Sequence, residues 1–440
     1  MLRRLLRLDG WTKVVLFILV GSGFLGKASA YVALGLGGLL LLSPRLLWDP
    51  WYNAMTRRHD VLNEIGWPLL VSLIYGFGQL IYGISLGYSV VTALQILIFN
   101  ICPVYLFLGM WVGARHPGTV RSYIRYMAWY TAIYTPLYFL FLHKLSIAGG
   151  GDADGSYAIL GNPGTGSVVL LGLLAYEPNL LAFWIPILVL TGLTIANQER
   201  ADWLGLGLAL MLWGKLTKNI GRVFSLVGIL AMILLVAALI DLKLPPIPGR
   251  GGELSARGTL GRMAGSISPE LAAEISGERA DAAFYYGTVY WRKRWWAGIR
   301  DEVSRSPMTM TFGLGYGYPL AKLSGNQGTV EEGTRSPHNI FYFALAYSGV
   351  IGVVIFFWFE ICLTRLLYRS YKVTGQTFGL AYFIYSISGA FFGNFLETPA
   401  AIVFYLVLGL CIGPMFPELE LQKRGEYSEL TAPIEVGEVV

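Results

Sequence analysis

The sequence predicts an all-α integral membrane protein with about twelve transmembrane helices and one long, largely helical insert outside the bilayer. Hydrophobic residues make up 55% of the 440 residues and charged residues only 14%, against about 25% charged residues in an average soluble chain. Apolar runs recur from end to end, and about 20 apolar residues cross a hydrocarbon core about 30 Å thick. No run alternates with the two-residue period of a barrel strand, so a helical bundle is predicted.

The apolar runs give the order of the predicted helices. The first run has a basic head like that of a signal peptide, but another run follows at once and no small-residue cleavage site precedes it, so a retained helix is predicted. Within 165–214 the sequences YEPNL and NQERADW separate three short runs. One long tilted helix over 165–197 is the alternative, but it places Lys215, Lys218 and Arg222 outside. The predicted spans are 11–27, 29–48, 65–84, 87–112, 123–142, 165–176, 180–197, 203–214, 222–242, 338–359, 378–394 and 398–416.

The basic residues predict the orientation. With a cytoplasmic N-terminus, the inside segments hold 18 Lys or Arg, whereas the short outside segments hold only Lys27, Lys144 and Arg200. This asymmetry is what the positive-inside rule describes. Both termini are therefore predicted to be cytoplasmic, and the long insert, with 12 basic and 9 acidic residues, to lie outside. The predicted regions are helices one to nine (1–242), the insert (243–337), helices ten to twelve (338–416) and a cytoplasmic tail (417–440).

Few residues suit metal, disulfide or nucleotide chemistry. The three cysteines lie in or at the ends of apolar runs, and the four histidines fit no zinc spacing. Metal-independent chemistry without a cofactor is therefore predicted, and no nucleic-acid partner is expected. The glycines of TFGLGYGYP (Gly313, Gly315 and Gly317) follow no βαβ unit, so they are interpreted as a tight flexible turn and not as a nucleotide loop.

A histidine stands where the tenth predicted helix begins. The sequence SPHNIFYFALAYSGVIGVVIFF, residues 336–357, passes from a polar turn into an apolar run. Ser336 and Pro337 are typical of an N-cap and a first-turn proline, so His338 and Asn339 are predicted in the first turn, facing an external cavity. There His338 would titrate near neutrality and act as a general base toward a hydroxyl group. The alternative is a polar interfacial residue.

Arginines and tryptophans share a helix within the insert. In YWRKRWWAGIRDEV, Arg292, Trp296 and Arg300 recur every four residues on one face. Two interpretations stay open: an amphipathic helix on the bilayer surface, with tryptophans at headgroup depth, or arginine forks presented to a diphosphate. The adjoining stripe consists of Trp291, Trp295 and Ile299.

Further polar residues in two segments face the same predicted side of the membrane. Arg200 lies between two short apolar runs, where an ionised side chain is costly without a wet cavity or a partner. Its alternative is a salt bridge with Glu199 or Asp202. Asn394 and Glu397, in GNFLETPAA, either line a pocket or belong to a polar loop.

The residues around His338 resemble one family. SPHNIFYFALAYSGVIGVVIFF is similar to the histidine–asparagine and glycine-x-x-glycine signature of the O-antigen ligase and polymerase superfamily, with His338, Asn339, Gly349 and Gly352 matching. YWRKRWW followed by PMTMTFGLGYG resembles the family's arginine–tryptophan helix and glycine turn. QERADW also resembles a family segment, although members usually carry a small polar residue where Glu199 stands. The resemblance covers about 195–360.

The resemblance implies a multi-pass glycosyltransferase of C-type architecture in the bacterial inner membrane. Its substrates would be an undecaprenyl-pyrophosphate-linked glycan and, for a ligase, a lipid A-core acceptor of lipopolysaccharide biosynthesis, joined at the periplasmic face among membrane lipids. It implies that His338 accepts the acceptor's proton and that Arg200 and Arg292 bind the pyrophosphate. The supporting positions are Asn339, Trp296, Arg300 and Glu397. An O-antigen polymerase, a protein-glycosylating relative and a transporter of lipid-linked glycans are the alternatives.

Overall fold

A computed structural model gives the fold for most of the chain. Over the described residues the chain is predominantly helical, with two short antiparallel strand pairs. The first two predicted spans, 11–27 and 29–48, lie largely outside these residues, and the tail lies wholly outside them. The structure describes residues 15, 18–19, 35, 60–141, 146–148, 156–158, 166–197, 200–240, 243–244, 254–264, 268–276, 279–324, 336–393, 396 and 401–416.

The helices are numbered from the first one described from end to end. They are α1 Asp60–Ser85, α2 Val90–Ile101, α3 Tyr105–Arg115, α4 Thr119–Leu140, α5 Gly166–Tyr176, α6 Trp184–Asn197, α7 Arg200–Thr217, α8 Ile220–Leu239, α9 Ala256–Ala264, α10 Pro269–Ser276, α11 Arg279–Val303, α12 Pro307–Phe312, α13 Ile340–Thr374, α14 Phe378–Ala390 and α15 Ala401–Ile412. Short 3-10 turns are Cys102–Val104, Leu180–Phe183 and Leu320–Ser324. Strands β1 Ser146–Ala148 and β2 Ser156–Ala158 pair, as do β3 Lys243–Leu244 and β4 Leu254–Ser255.

Several described helices suit a lipid bilayer. Four are long and apolar enough to cross a membrane, namely Glu64–Ser85, Val90–Arg115, Ile220–Ala237 and Ile340–Thr374, and four more are shorter and apolar. Large apolar side chains such as Ile81, Phe224 and Leu239 are exposed on them. Because contiguous apolar surface is unfavourable in water, these faces fit contact with lipid. The total of twelve spans stays a prediction.

Helix α13 runs beyond the predicted end of helix ten at residue 359 and reaches Thr374. Its later turns carry Arg365 and Arg369, whose guanidinium groups lie 3.9 and 3.2 Å from the carboxylate of Glu64 on α1. Because these turns are charged, they do not belong to the apolar run from which the end of helix ten was predicted. Gly375, in the left-handed conformation, ends the helix.

Helices α3 and α15 pack with their backbones in direct contact. A Cβ added to Gly109 would lie 2.2 Å from the carbonyl oxygen of Leu406, and one added to Gly409 would lie 2.1 Å from that of Leu106. Small residues let membrane helices approach until their backbones touch. These glycines therefore set the spacing at the centre of the bundle.

The second half of the predicted insert shares the core of the membrane helices. Trp295 and Ile299 of α11 and Tyr316 of the glycine turn are buried in the same hydrophobic cluster as the bundle. The turn is tight, as the sequence predicts, with positive φ at its three glycines. It is packed, however, and not a free loop: the Leu314 N–H donates to the Ala346 carbonyl at 2.7 Å.

Candidate functional site

The histidine predicted as a general base lies immediately before α13. Asn339 caps the helix, because its Oδ1 accepts from the backbone N–H groups of Phe341 and Tyr342 at 2.9 and 3.2 Å. His338 therefore precedes the helix with a φ of 55°, in the left-handed region that few non-glycine residues occupy. The prediction that Ser336 caps and that His338 lies in the first turn is wrong.

Ser336 has a different role from capping. Its Oγ accepts a hydrogen bond from the backbone N–H of His338 at 3.1 Å. A serine and an asparagine are both good caps, and the tertiary contacts of Asn339 decide between them. The Asn339 Nδ2 also donates to the carbonyl of Phe391, at the C-terminus of α14, at 2.8 Å.

The imidazole of His338 is half-buried against α11. Its ring centroid lies 6.3 Å from that of Trp291, edge to face. Burial, followed by the positive charge of Arg292, lowers the pKa of His338 from 6.5 to about 4. Both causes disfavour the imidazolium form. The ring is therefore neutral near pH 7, whereas the sequence predicted titration near neutrality.

Helix α11 is oriented by its buried stripe. Trp295 and Ile299 are fully buried, and the Trp295 indole N–H donates to the Leu320 carbonyl at 2.8 Å. The stripe thus packs on protein, which removes Trp295 from the headgroup depth that the surface-helix interpretation requires. The adjoining stripe turns Arg292 toward Phe392, which follows α14, and Trp296 toward Pro337, which precedes α13.

Arg292 and Trp296 both contact backbone close to His338. The Arg292 Nη1 donates to the Phe392 carbonyl at 2.8 Å. The Trp296 Nε1 donates to the Pro337 carbonyl at 2.8 Å, and its ring stacks on Tyr342 with 5.3 Å between centroids and 11° between planes. The predicted four-residue register therefore brings an arginine and a tryptophan close to His338.

Arg300, two turns further along α11, lies in a different environment. Its side chain is 64% exposed, and its Nε and Nη2 both donate to Asp301 at 3.2 Å. An exposed pair of this kind contributes little to stability. The structure gives Arg300 the character of a solvated residue at the end of the helix.

Arg200 is the first residue of α7 and is half-exposed. Asp202, one of its two predicted ion-pair partners, is buried and accepts from Ser167 at 2.8 Å and also from Tyr385. Glu199, the other, lies outside the described residues. Both carboxylate oxygens of Asp202 thus take part in joining α7 to α5 and α14.

The packing of α7 on α14 shows at which end of this helix pair Arg200 lies. Asp202 contacts Tyr385 of α14, whereas Leu216, at the other end of α7, accepts from Tyr371, which precedes α14. The two helices are therefore antiparallel. Arg200 consequently lies at the same end of the pair as Phe391 and Phe392, the residues that bind Asn339 and Arg292.

Some site residues carried no recognisable sequence signal. Phe391 and Phe392 contribute backbone carbonyls, which any residue type possesses, and Trp291 appeared only as part of an apolar stripe. Glu397 and Asn394 lie outside the described residues, so their predicted place in the pocket stays a prediction. Among the residues that the structure describes, no group of three or more His, Cys, Asp or Glu is placed to hold a metal ion.

Comparison with known families gives one match that spans the residues described above. Residues 185–357 match the family model described as O-antigen ligase. The matched segment begins in α6 and ends in α13, so it includes Arg200, Arg292, Trp296 and His338. No curated protein matches the chain significantly.

Proposed function

We propose, from the premise that residues 185–357 belong to the O-antigen ligase family, that this membrane protein is a ligase acting on a lipid-linked glycan. It moves the glycan from undecaprenyl pyrophosphate to a sugar hydroxyl of lipid A-core. The observation that carries the proposal is a neutral, half-buried imidazole at His338 beside the guanidinium of Arg292, within the matched segment. A base and an anion-binding group side by side are what glycosyl transfer from a diphosphate requires.

The reaction follows from the roles of these groups. A neutral imidazole nitrogen of His338 accepts the proton of the acceptor hydroxyl while the oxygen attacks the anomeric carbon. The bond from that carbon to the diphosphate oxygen breaks, and the electron pair leaves with undecaprenyl pyrophosphate. Arg292 and Arg200 stabilise the charge that develops on the leaving group. A single displacement inverts the anomeric centre and consumes neither ATP nor a metal ion.

Donor binding is expected to strengthen the base. The charge of Arg292 is one cause of the low pKa of His338. A bound diphosphate offsets that charge, and an anion near an imidazole favours its protonated form. The pKa of His338 therefore rises when the donor is in place, so the group accepts a proton most readily in the complex that reacts.

The placement in the cell rests on the distribution of charge. The 18 basic residues of the predicted inside segments support cytoplasmic termini. The same orientation puts His338 and the insert at the periplasmic face of the bacterial inner membrane, where donor and acceptor lipids meet.

The surface glycolipid of a strain lacking the gene tests the function. A ligase deficiency is expected to leave free lipid A-core together with accumulated lipid-linked polymer. Capped core without polymer would indicate the polymerase, and a normal glycolipid would contradict both. Transfer by the purified protein in liposomes containing only donor and acceptor separates an enzyme from a transporter, which would form no product.

The arginine proposal predicts that charge alone does not suffice at position 292. Arg292→Lys is expected to lower kcat about 10- to 100-fold, because lysine keeps the charge but loses the planar fork that donates to a diphosphate. Initial rates of transfer in detergent measure the effect. Arg294→Lys is the matched control, since Arg294 lies two residues away and is exposed. Full activity of Arg292→Lys would favour a role as a membrane anchor instead.

A further inference from the structure

His338 is held in a backbone conformation that it would not keep unaided. A φ of 55° places it in the left-handed region, which costs a non-glycine residue energy and persists only where neighbouring contacts determine it. The residue that must present its imidazole to a substrate thus depends on its surroundings for its geometry. The contacts of the peptide unit before His338 show what supplies the constraint.

The peptide unit joining Pro337 to His338 is bound at both ends. Its carbonyl oxygen accepts from the Trp296 indole N–H at 2.8 Å, and its N–H donates to the Ser336 Oγ at 3.1 Å. Because a peptide unit is planar, two bonds at opposite ends fix its orientation. The φ of His338 is the rotation that follows directly from this plane.

The Ser336 bond is local, since donor and acceptor residues are two positions apart, and it moves with the turn. The Trp296 bond comes from another element, α11, and is itself oriented. The indole stacks on Tyr342 of α13, which limits rotation of the ring. The neighbouring Trp295 is fully buried in the same hydrophobic cluster as the membrane helices, so α11 is packed on protein at this turn. Trp296 is thus the rigid contact of the pair.

We propose that Trp296 is a positioning residue for transfer: its indole N–H holds the Pro337 carbonyl and thereby keeps the imidazole of His338 beside Trp291 and Arg292. The inference rests on the proposed role of His338 as the base. It assigns a specific atom of α11 to the organisation of the site and gives no contact between Trp296 and substrate.

Trp296→Phe removes that donor and keeps a smaller aromatic ring to stack on Tyr342; the loss of ring size is shared with the control variant described next. We expect kcat to fall about 10- to 100-fold, since small displacements of a reacting group have effects of this size. KM for the donor should change little. The acid limb of the kcat/KM profile should move upward toward the unperturbed histidine pKa of about 6.5, because a released imidazole regains water.

Trp295→Phe is the matched control. It removes an indole hydrogen bond of the same length, 2.8 Å, from the neighbouring residue of the same helix, but that bond ends on Leu320 and not on Pro337. Loss of a buried donor from α11 should lower thermal stability in both variants. Only Trp296→Phe should shift the acid limb, and rates are normalised to the monodisperse, folded fraction.

A substrate-independent measurement keeps this inference distinct from the proposed function. Diethyl pyrocarbonate modifies neutral imidazole, so the rate of modification of the peptide containing His338, followed by mass spectrometry against pH, reports its titration. Trp296→Phe should speed modification and raise the midpoint, whereas Trp295→Phe should match the wild type. An unchanged midpoint in Trp296→Phe, or an equal shift in both variants, overturns the positioning role. Failure of wild-type transfer together with a shifted midpoint would instead contradict the function alone.

Discussion

Replacement of His338 by alanine is expected to abolish measurable glycan transfer, with kcat lowered about 100- to 10,000-fold, the usual contribution of a general base. The side chain is half-buried beside Trp291 and Arg292, and no other group of comparable basicity precedes α13 in the described turn. Transfer to lipid A-core by purified protein in liposomes measures the loss.

A second variant is needed because His338 has a positive φ. Histidine adopts a positive φ such as the 55° of His338 more often than alanine does, so a loss of activity in His338→Ala could follow from a change in the turn. Asparagine tolerates this conformation well and has no base that works near pH 7. His338→Asn should therefore fold like the wild type and fail to transfer. His116→Ala, at the end of α3, is the control for removal of a histidine elsewhere, and transfer by His338→Asn at the wild-type rate would exclude the base.

The proposed role of His338 as the base also predicts how the transfer activity of the wild type depends on pH. A base must be neutral, so activity is present above its pKa and is lost as pH falls through it. With the pKa of His338 at about 4 in the free protein, kcat/KM should not lose activity to its protonation until well below pH 6. In the profile of kcat against pH, the loss of activity on the acid side should occur at higher pH, because the bound diphosphate raises the pKa of His338. A fall of kcat/KM centred near pH 6.5, about the unperturbed pKa of histidine, would mean that the imidazole is exposed to water.

The sequence predicted the helices best where an apolar run has clear ends. The run 165–176 corresponds to α5, which Glu177 and Pro178 follow, whereas helix ten was misplaced at both ends. At its start, Ser336 and Asn339 are both good caps, and Asn339, which also bonds the Phe391 carbonyl, is the one that caps the helix. At its end, Arg365 and Arg369 interrupt the apolar run from which the end was predicted, although both lie within α13 and pair with Glu64 of another helix.

The candidate site was likewise predictable from the sequence only in part. Residue type and spacing were enough to identify His338, Arg292 and Trp296 as candidates. Their roles depend on which groups meet in space, since the low pKa of His338 arises from burial and from Arg292 on another element. The partner of Arg292 is a carbonyl of Phe392, and a backbone atom has no signature in a sequence.

The second large effect is expected at Gly349, inside α13. Its φ of 62° and ψ of −166° interrupt the helix, in a region that is open essentially only to glycine. A Cβ there would lie 2.3 Å from the Thr311 carbonyl oxygen and 2.5 Å from the Gly313 nitrogen. Gly349→Ala is therefore expected to destabilise the protein by about 3 kcal/mol or more, from strain together with the displaced α12.

The break at Gly349 also explains the polar groups around it. An interrupted helix leaves carbonyls without helical partners, and a bilayer offers no water to satisfy them. Tyr75 of α1 donates to the Ser348 carbonyl at 2.6 Å, and the Leu314 N–H donates to that of Ala346 at 2.7 Å. The glycine turn and the kink of α13 thus satisfy each other, which gives a physical reason for a glycine at position 349.

Gly375→Ala provides the comparison, because Gly375 also has a positive φ, 71°, but a Cβ added to it meets nothing within 4 Å. Its cost should be about 1–2 kcal/mol, from the conformation alone. Thermal unfolding of the two variants in detergent measures the difference. Since the segment Ile340–Ser348 before the kink begins next to His338, Gly349→Ala should also lower transfer per folded molecule, whereas Gly375→Ala should not. Equal stability of the two variants would mean that α13 passes Gly349 without a break.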